Sequence, residues 1–419
     1  MPAETATVRA VTTLSHEPAS EPIRAPLPAT ERIATLDVLR GVALFGIFIV
    51  NVQTFAHSLF VPLPAQDGSV DGIVAMLREL LFAGKFNLMF GLVFGIGFSL
   101  QLRRLEAADL QTAAYVYVRR LTVLLGIALV HAAFLWMGDV LVAYSVLGFL
   151  LLAIRRVSDR VLLVLIGACL VYPAVADLIS RHLFSDDTVM LAQFEFAQLA
   201  ESNDAAFGHG SLLDAVAENL RIFHWAYATP MGLFNVAAFF IQMATGILTG
   251  FYAGRRRWIE RIGELRVPMR RAHWAALGIA LAAGAAWWAM GGMASDDAGE
   301  SVPIAFARTI GRFALMSFYA LSIVRLAAAG RIARVLRLFA LAGRMPLTNY
   351  LLQTLLSLLV FDGWGFGLWG RTSTAAEAAI AAALFLIVQL PLSAWWLARF
   401  RYGPVEYVWR RLTYGRLTV

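Results

Sequence analysis

Long apolar runs recur ten times along this 419-residue chain, each close to the ~20 residues that cross a bilayer as a helix. No other feature constrains the fold as strongly. A segment immersed in hydrocarbon must satisfy its own peptide groups, which leaves helices or a closed barrel, and runs of this length are helical. The expected class is all-α: a polytopic transmembrane helix bundle of about ten spans. These run roughly over 37–56, 80–102, 118–136, 140–154, 161–180, 230–252, 272–290, 304–328, 339–361 and 376–398. The fourth is short, and a tight turn at Gly138-Asp139 pairs it with the third as a hairpin. Only 15% of residues are charged, against about 25% in a soluble domain.

The connectors give the orientation. Arginine-rich loops (103–120, 155–160, 254–271, 331–337 and the stretch after 398) alternate with acidic ones around Asp67 and Asp71, Asp139, 181–229, and Asp296 to Glu300. Basic loops collect on the cytoplasmic side, so both termini are expected there. Residues 1–31, rich in Pro, Ala, Thr, Ser and Glu, read as a disordered tail. Residues 32–414 read as one transmembrane domain with an extracytoplasmic amphipathic insertion at 181–229, and 415–419 as a cytoplasmic end. The formal charge of +7 is nearly all arginine, which orientation explains without nucleic acid as a partner. One cysteine, Cys169, and seven scattered histidines leave no metal-ligand cluster. Gly246, Gly250 and Gly254, with Gly91 and Gly95, carry the small-residue spacing of closely packed membrane helices, and such faces permit a homodimer.

Polar residues inside these spans carry the functional reading, because lipid does not tolerate them. Asp37, Arg40, Arg344, Asn349 and Glu406 fall toward the cytoplasm; Asn51, Lys85, Asn87, His131, Asp139, Arg308 and Arg312 fall toward the outside. Arg40 and Asn51 lie about 20° apart on one helix face and roughly 16 Å apart along it, with Leu44, Ile47 and Thr54 on the same stripe. That stripe suits a helix lining a route across the membrane; the alternative is interfacial snorkelling of Asp37 and Arg40. His131 is a candidate proton acceptor, with Asp139 placed to orient its ring; a hydrogen bond to a neighbouring helix is the competing role. Lys85, Arg308 and Arg312 suit an anion or a lipid-like acceptor head, or snorkel to phosphates. Signatures of nucleotide-binding loops, serine hydrolases and zinc proteases are missing.

The run LDVLRGVALFGIFIVN resembles the first helix of the acyltransferase-three superfamily, matching at Asp37, Arg40 and Gly41, although Asn51 stands where that superfamily has histidine. The YeiB family, a bacterial domain of unknown function, is a fuller likeness. It also covers His131 with GDVLVAYSVLG, then GRMPLTNYLLQT (343–354), then GPVEYVWRRLTY (403–414). The resemblance spans 32–414 and implies acyl transfer from cytoplasmic acyl-CoA to an extracytoplasmic or lipid-linked acceptor. His131, Asp139 and Asn51 would be catalytic; Asp37, Arg40, Arg344 and Asn349 would hold the donor; and Lys85, Arg308 and Arg312 would face the acceptor. A transporter or flippase for a small or lipid-linked solute is the other expectation, since the same polar line suits a permeation path.

Overall fold

The computed structural model describes residues 34–58, 60, 69–107, 110–262, 264–292, 300–328 and 334–415. The expected N-terminal tail and the extreme C-terminus lie outside these. Among the described residues the chain is helical, without strands. The helices are α1 (Ala34–Ala56), α2 (Val70–Leu81), α3 (Lys85–Glu106), α4 (Leu110–Phe134), α5 (Leu141–Ala153), α6 (Asp159–Leu183), α7 (Asp186–His209) and α8 (Leu212–Ala228). They continue with α9 (Pro230–Arg255), α10 (Arg266–Ala289), α11 (Val302–Ala328), α12 (Arg334–Arg344), α13 (Pro346–Phe361), α14 (Thr374–Ala383), α15 (Leu390–Leu397) and α16 (Pro404–Tyr414). A π-helical turn, Leu384–Gln389, joins α14 to α15.

Eight of the helical segments are long and apolar enough to cross a membrane, and α5 and α13 are shorter apolar helices. This is a membrane protein of the helical class. Three expected spans are less regular than the apolar pattern implies. The second breaks at Gly84 (φ 75°), so that α2 ends before α3 begins at Lys85. The ninth is not continuous: Met345 leaves helical geometry (φ −128°, ψ 59°) because Pro346 disfavours a helical residue before it, and α12 and α13 are separate helices. In the tenth, Pro391 supplies no N–H to the turn before it, and the helix widens there into the π-turn.

The hairpin between α4 and α5 is also longer than a tight turn. Residues 135–140 are non-helical, and Trp136, Asp139 and Val140 within them are buried. Backbone of this kind at membrane depth survives only where protein covers it. The cover is α8, whose buried Asn219 donates to the carbonyls of Ala132 (2.6 Å) and Ala133 (2.8 Å) and accepts from Met137 N (2.8 Å). The α7–α8 pair is thus a cap on the bundle. Its own small core is built from Leu199, Phe207, Ile222 and Trp225, and Trp369 packs against it. A Ser211–Asp214 capping box starts α8.

Contacts sort the helix ends onto two faces. One joins Arg103 to Glu260 (2.6 Å), Arg155 to Glu106 (3.5 Å), Arg255 to Asp159 (3.3 Å) and Gln101 to Tyr414 (2.7 Å); both ends of the described chain lie on it. It is called here the terminal face. The opposite face joins Gly370 N to Ala56 O (2.9 Å), Gly363 N to Phe207 O (2.7 Å) and Trp369 to Asp204 (2.8 Å), under the α7–α8 cap.

Glycine sets the closest helix crossings. A Cβ on Gly246 or Gly250 of α9 would overlap the carbonyls of Leu88 or Leu92 on α3, and one on Gly95 would overlap Ile247 O. The expected small-residue faces are therefore the α3–α9 seam. At the α1–α12 crossing, a Cβ on Gly343 would meet Asp37 O and one on Gly41 would meet Phe339 O. Gly250→Val should force this seam apart and cost about 1–3 kcal/mol or more, seen as a lower melting temperature and yield in detergent. Gly278→Ala, where nothing lies within 4 Å of the added carbon, should leave both unchanged.

Candidate functional site

A cavity of about 250 Å³ opens in the half of the bundle nearest the terminal face, walled by α1, α3, α4, α5, α13 and α16. Five arginines line it (Arg40, Arg104, Arg120, Arg344 and Arg410) against two carboxylates, Asp37 and Glu406. Its deeper wall is aromatic and apolar, with Phe90, Phe94, Phe98, Tyr144 and Tyr350. The charged lining is organised: Arg40 pairs with Asp37 at 2.8 Å, and the Arg120 guanidinium lies 4.1 Å from the Trp409 ring, whose Nε1 donates to Arg120 O. An excess of guanidinium over carboxylate at the wide end, with a greasy narrow end, matches a ligand that has a polyanionic head and a slim apolar arm.

Two buried carboxylates shape this cavity by capping helices. Glu406 of α16 accepts from Leu347 N (2.7 Å) and Thr348 N (3.0 Å) at the start of α13, and from the Thr348 hydroxyl. The chain break at Met345 leaves those amides without helical partners, and a carboxylate at a helix N-terminus is the favoured answer. Burial still pushes the Glu406 carboxyl above its ordinary range, against the pull of those hydrogen bonds. Asp139 does the same for α5, accepting from Leu141 N (3.1 Å) and Val142 N (3.3 Å).

His131, only 2% exposed, stands in the last turns of α4 between Asp139 and α13. Its Nδ1 is 3.2 Å from Asp139 Oδ1, a close but poorly aligned contact, and its Nε2 is 2.9 Å from Thr354 Oγ1. Nδ1 makes no hydrogen bond to that carboxylate, and Nε2 shares one with the Thr354 hydroxyl in which either is the donor according to the tautomer. The His131 ring packs on Tyr350 (centroids 5.5 Å apart), whose hydroxyl accepts from Val140 N at 3.2 Å. The α1 stripe suggests a route across the membrane, but the cavity that Arg40 lines does not include His131. That cavity ends at Tyr350, Val140 and Leu141 because the 135–140 segment folds back and fills the space.

The other expected site residues divide. Asp37, Arg40 and Arg344 line the cavity, with Leu44 and Ile47 from the same α1 stripe. Asn51 is off it, half-buried, its carbonyl accepting from Thr54 Oγ1. Asn349 is also off it: its amide donates to Ala342 O, Met345 O and Ser393 Oγ, knitting the α12–α13 break to α15. Lys85, Arg308 and Arg312 do converge, the two arginines on carboxylates and the lysine on a backbone carbonyl. Arg312 pairs with Glu79 at 2.6 Å, Arg308 with Glu300, and Lys85 donates to Glu79 O. This is a strut joining α2, α3 and α11, away from the cavity. It leaves one net positive charge across three cations and two acids.

Sequence reasoning assigned no role to Thr354, Gln353 or Glu377. Gln353 donates to Leu44 O and Gln389 Oε1 (both 3.3 Å), and Gln389 donates to Asn349 O (2.9 Å), a buried polar ladder between α13 and the π-turn. Glu377, a lone carboxylate in an apolar run, was the available signal. It is fully buried and bonded to His57 Nε2 at 2.8 Å on the capped face.

A model of a family described as a protein of unknown function (DUF418) matches residues 253–416, the C-terminal part that contains α10 to α16. The uncharacterized protein YxaH of Bacillus subtilis (strain 168) is 30% identical over 412 residues, covering 93% of this chain and 96% of its own. This chain belongs to that YeiB-like DUF418 family. The uncharacterized protein YeiB of Escherichia coli (strain K12) is 29% identical, with 91% and 96% covered. An uncharacterized 39.9 kDa protein of Bacillus acidopullulyticus is 26% identical over 400 residues. No solved structure matches the chain.

Two groups on the capped face make stability depend on pH. The hydrogen bond to Glu377 raises His57 above its usual 6.5, so that pair contributes fully below this value and is lost as pH rises through the raised one. Burial pushes Asp362, just past α13, up to about 7. Between the ordinary carboxylate range and that value the folded state holds the extra proton, and stability again falls as pH rises. Purified protein should therefore melt higher near pH ~6 than near pH ~8. The double variant His57→Gln, Asp362→Asn should flatten that difference.

Proposed function

We propose that this protein is an integral membrane acyltransferase of the acyltransferase-three type, moving an acyl group, acetyl in the simplest case, from acyl-CoA to an acceptor that approaches from the opposite face. The observation that carries the reading is the arginine-walled cavity, whose closed end is Tyr350, the residue packed on the His131 ring. The alternation of basic and acidic loops supports ten spans with the terminal face in the cytoplasm of a bacterial inner membrane. On that side acyl-CoA is at hand. Its phosphates would meet Arg40, Arg104 and Arg344, and the pantetheine arm would follow the aromatic wall toward Tyr350.

In the reaction the acceptor oxygen or nitrogen attacks the thioester carbonyl, and His131 Nε2 takes its proton in place of the Thr354 hydroxyl. Asp139, 3.2 Å from the ring's other nitrogen, would orient it, and the same carboxylate caps the start of α5. Collapse of the tetrahedral adduct breaks the C–S bond, and the departing thiolate recovers the proton from His131. No metal is required by this scheme. Tyr350 and the 135–140 segment must shift for thioester and imidazole to meet, since they separate the two.

A second reading has its own support. A closed His131 layer above an open cavity is also the form of a carrier held in one state, so transport of a small or lipid-linked solute uses the same residues.

Purified protein incubated with acetyl-CoA and an acceptor pool should release free CoA thiol, and His131→Ala should abolish release. Arg40→Ala or Arg344→Ala should raise KM for the CoA donor about tenfold, the worth of one charge-assisted hydrogen bond. If CoA neither binds nor turns over, while reconstituted vesicles accumulate a solute in an Arg40- and His131-dependent way, the carrier reading replaces this one.

A further inference from the structure

On the capped side of His131 a second, much smaller cavity of about 20 Å³ lies between α1, α4, α13 and the α7–α8 cap. It continues the His131 site outward along both helices. On α13, Thr354 and Leu358 are four residues apart on one face, a rise of about 6 Å, and Asp362 is the C-cap residue just past the helix end. Thr354 holds His131, and Leu358 and Asp362 line the cavity. On the α4 side, Leu135 and Trp136 line it, their amides both bonded to the His131 carbonyl at 2.9 Å. From the α1 stripe that contributes Arg40 and Leu44 to the larger cavity, Thr54 lines this one.

Two polar groups at this cavity have no partner. Asp362, 1% exposed, spends Oδ2 on the Trp364 indole at 2.9 Å and leaves Oδ1 unbonded. Trp136, 8% exposed, leaves its indole N–H unbonded. Orphaned buried groups of this kind are costly, and a cavity whose lining residues carry one unbonded carboxylate oxygen and one unbonded N–H donor calls for a group that serves both. A volume of this size admits one oxygen-sized group. The group must accept from the indole and bond to the acid, which a hydroxyl does whether Asp362 is ionised or not. An ammonium has no lone pair for the indole, and a carboxylate has no proton for ionised Asp362.

We infer that this outer cavity is the entry subsite for an alcohol acceptor, holding one hydroxyl between the Trp136 indole N–H and Asp362 Oδ1, with Leu135 and Leu358 in its wall. The assignment deepens the acyltransferase reading and rests on it for the word acceptor. The binding of a hydroxyl rests on the cavity alone. Water occupies the subsite until an alcohol displaces it, and the capping helices α7 and α8, which contribute Asn203, Phe207 and Asn219 to the wall, must yield for anything larger to enter.

The single native cysteine, Cys169, makes a direct test practical. In a Cys169→Ser background, Leu358→Cys is placed in the cavity wall, with Thr54→Cys as an independent probe should the first fold poorly. Cells or right-side-out vesicles are treated with a membrane-impermeant thiol reagent. Modification should proceed from the capped face, slow in the presence of glycerol, and be unaffected by ethylammonium or acetate; adding Trp136→Phe or Asp362→Asn should remove the glycerol protection. In the activity assay the same two substitutions should raise KM for an alcohol acceptor about tenfold and leave KM for acyl-CoA unchanged. Glycerol protection without any CoA turnover keeps the hydroxyl subsite and discards the acyltransferase. Modification that glycerol does not slow, or that ethylammonium slows equally, overturns the subsite, as does absence of modification at both cysteines in well-folded protein.

Discussion

Backbone that leaves the helix inside an apolar slab must find partners for its peptide groups, and two such departures organise this molecule. At 135–140 the chain folds back between α4 and α5, and Asn219, Tyr350 and Asp139 supply the hydrogen bonds. At Met345 the chain turns between α12 and α13, and Glu406, Thr348 and Asn349 supply them. Asn219 and Tyr350 at the first break and Glu406 at the second come from distant parts of the chain, so the breaks tie α8 to α4 and α16 to α13. The cavity lies between the two breaks, and its polar lining is in part the means by which they are satisfied.

This explains why residues with catalytic character here also have structural work. Asp139 begins α5 and steadies His131; Glu406 begins α13 and contributes a negative charge to an otherwise cationic chamber. Removing either leaves buried amides unpaired, so loss of activity alone would not distinguish chemistry from folding. His131 is a cleaner probe, because its side chain bonds Thr354 and not a helix terminus. The His131 layer separates a wide cationic chamber on the terminal face from a hydroxyl-sized one under the cap. A group transferred between ligands from opposite faces would meet at that layer.

The four motifs behind the family likeness acquire one physical meaning when they are seen together. Gly41 and Gly343 let α1 and α12 touch, which sets Arg40 and Arg344 in one wall. His131 and Asp139 meet Thr354 and Tyr350, and Thr348 meets Glu406. Those pairings could not be read from spacing, because each joins residues far apart in sequence. Asn349 and Asn51 misled for the same reason. An intramembrane amide signals a partner, but the partner of Asn349 is the neighbouring backbone and Ser393, and Asn51 lies off the cavity. Arg308 and Arg312 pair with Glu300 and Glu79, acids that were not foreseen.

Sequence alone determined the membrane class, the positions of most apolar helices, the small-residue seam on α9 and the set of polar residues that lipid would reject. These follow from local composition and from the period of the helix. Tertiary structure decided which polar residues share a chamber, which merely cap a broken helix, and that His131 is walled off from the arginines by Tyr350. Those outcomes depend on how separate helices cross and on which buried peptide groups lack partners, and neither is a property of any one segment.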